Sequence, residues 1–182
     1  METQSLDRVA SSPNRERPIR KSLPAEAKDA PPADGVFRPE VFFLGRTEGG
    51  GVVRNALGRI IRRCVISTQG EYSPTYGAIH FDETFTYDNG EVDIWRWAMT
   101  PGRDGRYVAA EATVGSGIAA ETRGLDCHLT FRRRVGGSGR LMAPRYATRF
   151  TLLSPDVALK RARVSLFGFP LAEMTATHRR VG

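Results

Sequence analysis

The stretch Gly77–Thr100, GAIHFDETFTYDNGEVDIWRWAMT, decides how this chain folds. It reads as two antiparallel strands joined at Asp88-Asn89-Gly90, because a three-residue loop with glycine last suits a type I turn closed by a left-handed residue. That loop pairs Tyr87 with Glu91, Phe85 with Asp93, Glu83 with Trp95, Phe81 with Trp97 and Ile79 with Met99. Ile79, Phe81, Phe85, Trp95, Trp97 and Met99 then share one face, as a buried sheet face requires. A two-residue Asn-Gly turn would slip the register by one and turn both tryptophans outward, so it is rejected. Glu83 is the odd member of the favoured face, a carboxylate flanked by aromatic rings.

Outward from this hairpin the same pattern recurs. Gly45 to Asn55 and Arg59 to Gln69 have strand composition, and Asn55-Ala56-Leu57-Gly58 marks a turn between them. Pro101–Gly105 turns into Arg106 to Thr113, and Gly115–Gly124 and Leu125–Val135 form the next pair. Gly136–Gly139 turns again. Arg145–Leu153, Val157–Val164 and Leu171–Arg179 complete the chain. About ten short strands at roughly ten-residue spacing, with no convincing helix, indicate a single antiparallel up-and-down barrel. Pro39–Leu44 reads as a short helical turn plugging one end. GRTEGGG lacks the Lys-Ser/Thr ending and the following helix of a phosphate loop, so Gly49, Gly50 and Gly51 are read as letting a strand bend.

The 182 residues fit one domain with a tail. Residues 1–36 hold five prolines and few apolar side chains, the composition of a disordered segment, and the barrel domain is placed at 37–182. The net charge is +7 and the pI about 10.0. The first 34 residues contain six basic and six acidic side chains, so the surplus lies in the body and favours anionic partners. Cys64 and Cys127 fall on apolar strand positions and read as buried free thiols. No apolar run approaches the roughly 20 residues that span a bilayer. The N-terminus lacks the apolar stretch of a secretory signal, and a cytoplasmic location is expected.

Three readings attach to Glu83. If the preceding hairpin closes around Glu71–Thr75, Arg62 lies one diagonal step away on the same face, with Cys64 and Ile66. The turn at Pro101–Gly105 would set Tyr107 by Met99, Ala109 by Trp97 and Glu111 by Trp95. A buried charge is costly unless paired, so the first reading is an internal ion pair with Arg62 that fixes register and does nothing more. The second is ligand binding, with Arg62, Phe81, Glu83, Phe85, Trp95, Trp97, Met99 and Tyr107 around an apolar ligand with an acidic head. The third makes Glu83 and Glu111 an acid/base pair, although two strands of separation put them about 10 Å apart.

No metal or cofactor is implied. His80, His128 and His178 have no metal-ligand spacing, and His80 and His128 alternate away from the apolar faces. Cys127 and His128 point to opposite faces and cannot act together. Arginines cluster at 59/62/63, 132–134, 145/149, 161/163 (with Lys160) and 179/180, and most alternate with core positions on the outer wall. Aromatics are not interleaved with them as base-stacking platforms require, which disfavours nucleic acid. Peripheral contact with an anionic membrane stays open.

FFLGRTEGGGVVRNALGRIIRRCVIS, FDETFTYDNGE, RYVAA…TVG and FGFPLAEMT together resemble a bacterial lipocalin-like family of unknown function, many of whose members are lipoproteins. The resemblance runs from about Phe42 to Thr177 and is patchy after Gly124. The matching positions include Gly45, Thr47, Glu48, Arg62, Asp82, Glu83, Phe85, Tyr87, Gly90, Trp97, Gly115, Gly168 and Glu173. It implies a calycin-type barrel with a lipid or hydrophobic-ligand role, accessory to membrane fatty-acid modification. This chain departs from the pattern at Gly50, where an aromatic is usual, and at Trp95, where an arginine is usual. It also differs at Ala112-Thr113 and Thr148-Arg149-Phe150, and it carries no lipidation cysteine. The expectation is non-enzymatic binding of a fatty acid or derivative. A small isomerase- or hydratase-like enzyme using Glu83, and a membrane- or nucleic-acid-binding exterior, are the alternatives.

Overall fold

The computed structural model describes residues 35–137 and 140–181. A single helical turn, α1 (Pro39–Phe42), precedes β1 (Gly45–Asn55), β2 (Ile60–Ser73), β3 (Ala78–Tyr87), β4 (Val92–Pro101), β5 (Arg106–Glu111) and β6 (Gly115–Arg123). β7 (Asp126–Arg132), β8 (Val135–Gly137), β9 (Arg140–Met142), β10 (Arg145–Ser154), β11 (Val157–Leu166) and β12 (Phe169–Val181) follow. Ten strands close an all-antiparallel barrel by hairpins, β12 pairing with β1, while β8 and β9 form a separate ribbon between β7 and β10. All-β architecture and closure are as the strand spacing predicts. Apart from Gly35 and Val36, the segment expected to be a disordered tail lies outside the described residues.

The central hairpin has the expected register throughout, with Glu83 opposite Trp95 and Phe81 opposite Trp97. Gly90 closes its turn at φ 84°, and the Tyr87 N–H donates to the Glu91 carbonyl at 2.9 Å. Two neighbouring registers differ from expectation. The β2–β3 hairpin closes at residues 74–77, after Ser73 pairs Ala78, so Thr68 stands opposite Glu83. β4–β5 is offset by two residues, placing Ala109 by Met99, Glu111 by Trp97 and Tyr107 by Pro101. A shift of two keeps every side chain on its face, so the inner set survives while its neighbours change.

The two ends of the barrel are unlike. At one, Phe37, Phe42 and Phe43 are buried, and the Phe43 ring stacks on Phe81 with centroids 4.4 Å apart. Pro39 starts α1, where its missing N–H costs nothing, and the Phe37 N–H donates to the Gly124 carbonyl at 2.8 Å, tying the plug to the β6–β7 turn. Gly70 admits the plug, since a Cβ there would lie 1.9 Å from the Phe43 carbonyl oxygen. The opposite end carries the β1–β2, β3–β4, β5–β6 and β11–β12 turns and the β8–β9 ribbon, with no plug among the described residues.

Glycines in β1 have a different role from the bend expected of them. A Cβ on Gly49 would meet the Thr177 carbonyl oxygen at 1.7 Å, and one on Gly51 would meet the Ala176 Cβ at 2.5 Å. They allow β1 and β12 to approach closely at the closing seam. Gly49→Ala should therefore cost at least about 2 kcal/mol by overpacking against backbone. Gly50→Ala, whose Cβ would meet only the Cys64 carbonyl at 3.2 Å, should cost less. Thermal denaturation of the two variants checks this order.

Candidate functional site

Glu83 is buried, but Arg62 is not its partner. Lys160 of β11 donates from Nζ to Glu83 Oε1 at 2.5 Å, with the two side chains 7% and 1% exposed. β3 and β11 are four steps apart around a ten-strand wall, so the pair crosses the lumen. Lys160 Nζ also lies 4.7 Å from the Phe85 ring centroid and 5.2 Å from that of Phe150, with rings replacing part of its hydration. Arg62 sits at the open rim instead. It pairs with Glu91 at 2.5 Å and covers the Tyr87 ring at 5.2 Å. Trp95 stands opposite Glu83 on the neighbouring strand, and the cation comes from β11.

The strands between Glu83 and Lys160 add buried polar groups at the same level. Thr68 stands opposite Glu83, Thr47 opposite Thr68, and His178 beside Gly49. All three are buried. Thr47 Oγ1, Thr68 Oγ1, Trp97 Nε1 and both ring nitrogens of His178 have no hydrogen-bond partner among the described residues. His178 Nε2 is 3.3 Å from Glu83 Oε1, close enough for electrostatic contact but not aligned for a hydrogen bond. Buried polar groups are normally paired, so this belt has unused hydrogen-bonding capacity inside the barrel. Burial pushes the His178 imidazole down to about 4, against the pull of Glu83 and with the repulsion of Lys160. It is neutral at neutral pH.

Above the belt, toward the unplugged end, lies a cavity of about 200 Å³. Phe85, Trp95, Trp97, Phe131, Tyr146 and Met174 form its apolar wall, with Lys160 at the inner end and Asp93 and Arg133 at the rim. The indoles of Trp95 and Trp97 stack at 5.8 Å, and the Arg133 guanidinium covers Trp95 at 4.2 Å while pairing with Asp93 at 3.4 Å. Trp95 Nε1 donates to Asp93 at 2.8 Å.

Of the residues singled out from sequence, Phe85, Trp95 and Trp97 line this cavity, and Glu83 anchors the lysine at its inner end. Phe81 and Met99 belong to the packed core on the plug side. Tyr107 donates to Glu40 at 2.9 Å, beside α1. Glu111 is held by the β5–β6 turn. Its carboxylate accepts the backbone N–H groups of Arg96 at 3.3 Å, Thr113 at 2.9 Å and Val114 at 3.1 Å, and the Thr113 hydroxyl at 2.5 Å. It is therefore committed to a turn and does not pair with Glu83. Lys160, assigned from sequence to the outer wall, and His178, given no role, are the additions. Cys64 and Cys127 are free and buried. Burial raises both thiols, that of Cys127 to about 12, which keeps them protonated. Among the described residues no group of three His, Cys, Asp or Glu side chains could hold a metal ion.

The site thus sits in a closed ten-strand antiparallel barrel, with a polar belt across its interior and an aromatic chamber at one end. The chain belongs to the family described as "Protein of unknown function (DUF3833)", whose model matches residues 22–180. Among solved structures, the S-type phycobiliprotein lyase CPES from Guillardia theta has a similar fold, with a TM-score of 0.60 at 12% identity. The match covers 82% of this chain and 96% of that one. At that identity the likeness concerns the fold alone. No curated protein matches the sequence.

The buried imidazole makes a pH prediction. The unfolded chain titrates His178 near 6.5 and the folded one near 4. Between those values only the unfolded state takes up this proton, so stability falls as pH drops, by roughly 3 kcal/mol at the bottom of the window. Chemical denaturation from pH 7 to 4.5 should show a steeper loss for the wild type than for His178→Asn.

Proposed function

We propose that the barrel binds one small, mainly apolar molecule with an acidic or carbonyl head, a fatty acid or derivative, without transforming it. The observation that carries this reading is the composition of the cavity. Its walls are aromatic rings and Met174, while its inner end holds the Lys160 ammonium and Trp97, whose buried indole N–H has no partner. Two donors at the end of an apolar chamber suit an oxygen acceptor on an apolar tail. Because Glu83 already neutralises Lys160, the ligand's head shares that cation and does not face a bare charge. At about 200 Å³ the chamber is below the roughly 300–1,000 Å³ of drug-sized sites, which favours a short chain or one whose end protrudes past Arg133. Of the phycobiliprotein lyase named above, only the barrel bears on this reading.

The acid/base reading has less support. Glu83 has a lysine on it at 2.5 Å, and Glu111 is occupied by four donors, so neither carboxylate is poised to take a proton from a substrate.

Both tryptophans of the chain line the chamber, so intrinsic fluorescence reports its occupancy. Titration with octanoate or decanoate should give a saturable change at micromolar concentration. Trp97→Phe, which keeps a ring and removes the N–H, should weaken binding about fivefold to tenfold, the worth of one hydrogen bond. An unchanged emission spectrum across the acyl series, together with a ligand-free mass in native spectrometry, would contradict the proposal.

A further inference from the structure

We infer that the unplugged end of the barrel docks on an anionic lipid bilayer, inserting the tips of the β1–β2 and β11–β12 hairpins. The first observation is a strained, exposed aromatic. Phe167 and Gly168 form the two-residue turn between Leu166 and Phe169, with φ of 52° and 87°. Positive φ at both positions suits Asn-Gly, and for a bulky side chain it is an outlier. Phe167 is nevertheless 87% exposed and makes no ring contact within the described residues. Neither folding nor packing accounts for an aromatic there, and strain kept in an exposed turn points to a use outside the fold.

The second observation is that this ring has company. Phe169 is 73% exposed, and Leu57, at the tip of the β1–β2 hairpin, is 81% exposed. The two hairpins are neighbours, since β1 pairs with β12 up to Asn55 and Ala172. Their tips enclose a groove of about 590 Å³ lined by residues of both, and Val164 and Ala172 border this groove and the interior chamber alike. Each hairpin carries a register shift just below its tip, at Val53/Arg54 and at Val164/Ser165, and such bulges re-aim a strand end.

The third observation is charge. Arg54, Arg145 and Arg163 line the groove, with Glu173 as its acid. Arg54, Arg59 and Arg145 make no ion pair among the described residues, while Arg163 is paired to Glu173 at 2.8 Å. Elsewhere at the unplugged end Arg62 and Arg63 are paired with Glu91 and Asp88, unlike Arg54, Arg59 and Arg145 beside these two hairpin tips. Apolar tips flanked by Arg54, Arg59 and Arg145 match the two layers of an anionic bilayer, the acyl boundary and the phosphates. Docking in this orientation turns the chamber toward the lipid. It does not depend on what the chamber holds.

Co-sedimentation of the full chain with vesicles tests the inference. Binding is expected to vesicles of phosphatidylcholine mixed with phosphatidylglycerol, to fall with added salt, and to be absent on phosphatidylcholine alone. Phe167→Asn should keep or raise the melting temperature, because asparagine accepts this φ, and should weaken vesicle binding about tenfold. Phe169→Ser is the second variant and should weaken it similarly. Arg54→Gln with Arg145→Gln should flatten the salt dependence. Equal binding to both vesicle types, or tip variants that bind like the wild type, would overturn the inference. So would an absence of vesicle binding alongside tip-dependent self-association or retention of a single-stranded oligonucleotide. Octanoate binding followed by tryptophan emission is read separately, so loss of one result leaves the other standing.

Discussion

A carboxylate and an ammonium meet inside this barrel, from nearly opposite walls, at a depth where both are almost fully buried. Transfer of either charge alone into such surroundings is prohibitive, so Glu83 and Lys160 are buried only because they are buried together. Ion pairs of this kind seldom add stability relative to a well-packed apolar core. The pair instead fixes one alignment of β3 against β11, strands that are not neighbours in the barrel wall and share no backbone ladder. It also sets the level at which Thr47, Thr68 and His178 line up as a polar belt between two differently filled halves.

On the plug side of that belt the interior is solid. Phe37, Phe42, Phe43, Phe81 and Phe150 interlock with centroid separations between 4.4 and 6.3 Å. On the other side the aromatic residues stand around a space, with Phe131 and Tyr146 stacked at 5.1 Å and the two indoles facing them edge-on. The difference arises from chain economy. A segment around α1, carrying Phe37, Phe42 and Phe43, fills one end, whereas the other end is left to hairpin turns with exposed tips. The same asymmetry makes a chamber and gives it a rim at which Arg133 is paired with Asp93.

Much of this was legible in the amino-acid order. Asp88-Asn89-Gly90 specified the central register, and that register alone exposed Glu83 as a carboxylate on an aromatic face. What could not be read was its partner. In Val157–Val164 the inward positions are Ala158, Lys160 and Ala162, while Leu159 points outward. Small residues inside and a large one outside disguise the period, so Lys160 resembled its exposed neighbours Arg161 and Arg163. Ala176 and His178 present the same disguise in β12. The four-step path from β3 to β11 also passes through the β2–β3 turn, which closes at residues 74–77 and not around Glu71–Thr75. Once that link was misplaced, Arg62 stood in for a cation on a distant strand. A parity check on the alanines of β11 and β12 is the signal that would have found both residues.

The Glu83–Lys160 coupling can be measured directly by a double-mutant cycle in denaturant, with Glu83→Gln, Lys160→Met and the two combined. If the pair organises the interior, each single change is costly, the double change recovers much of the loss, and the coupling is at least about 2 kcal/mol. Additive effects, with a coupling below about 0.5 kcal/mol, would contradict a lumen built around this contact.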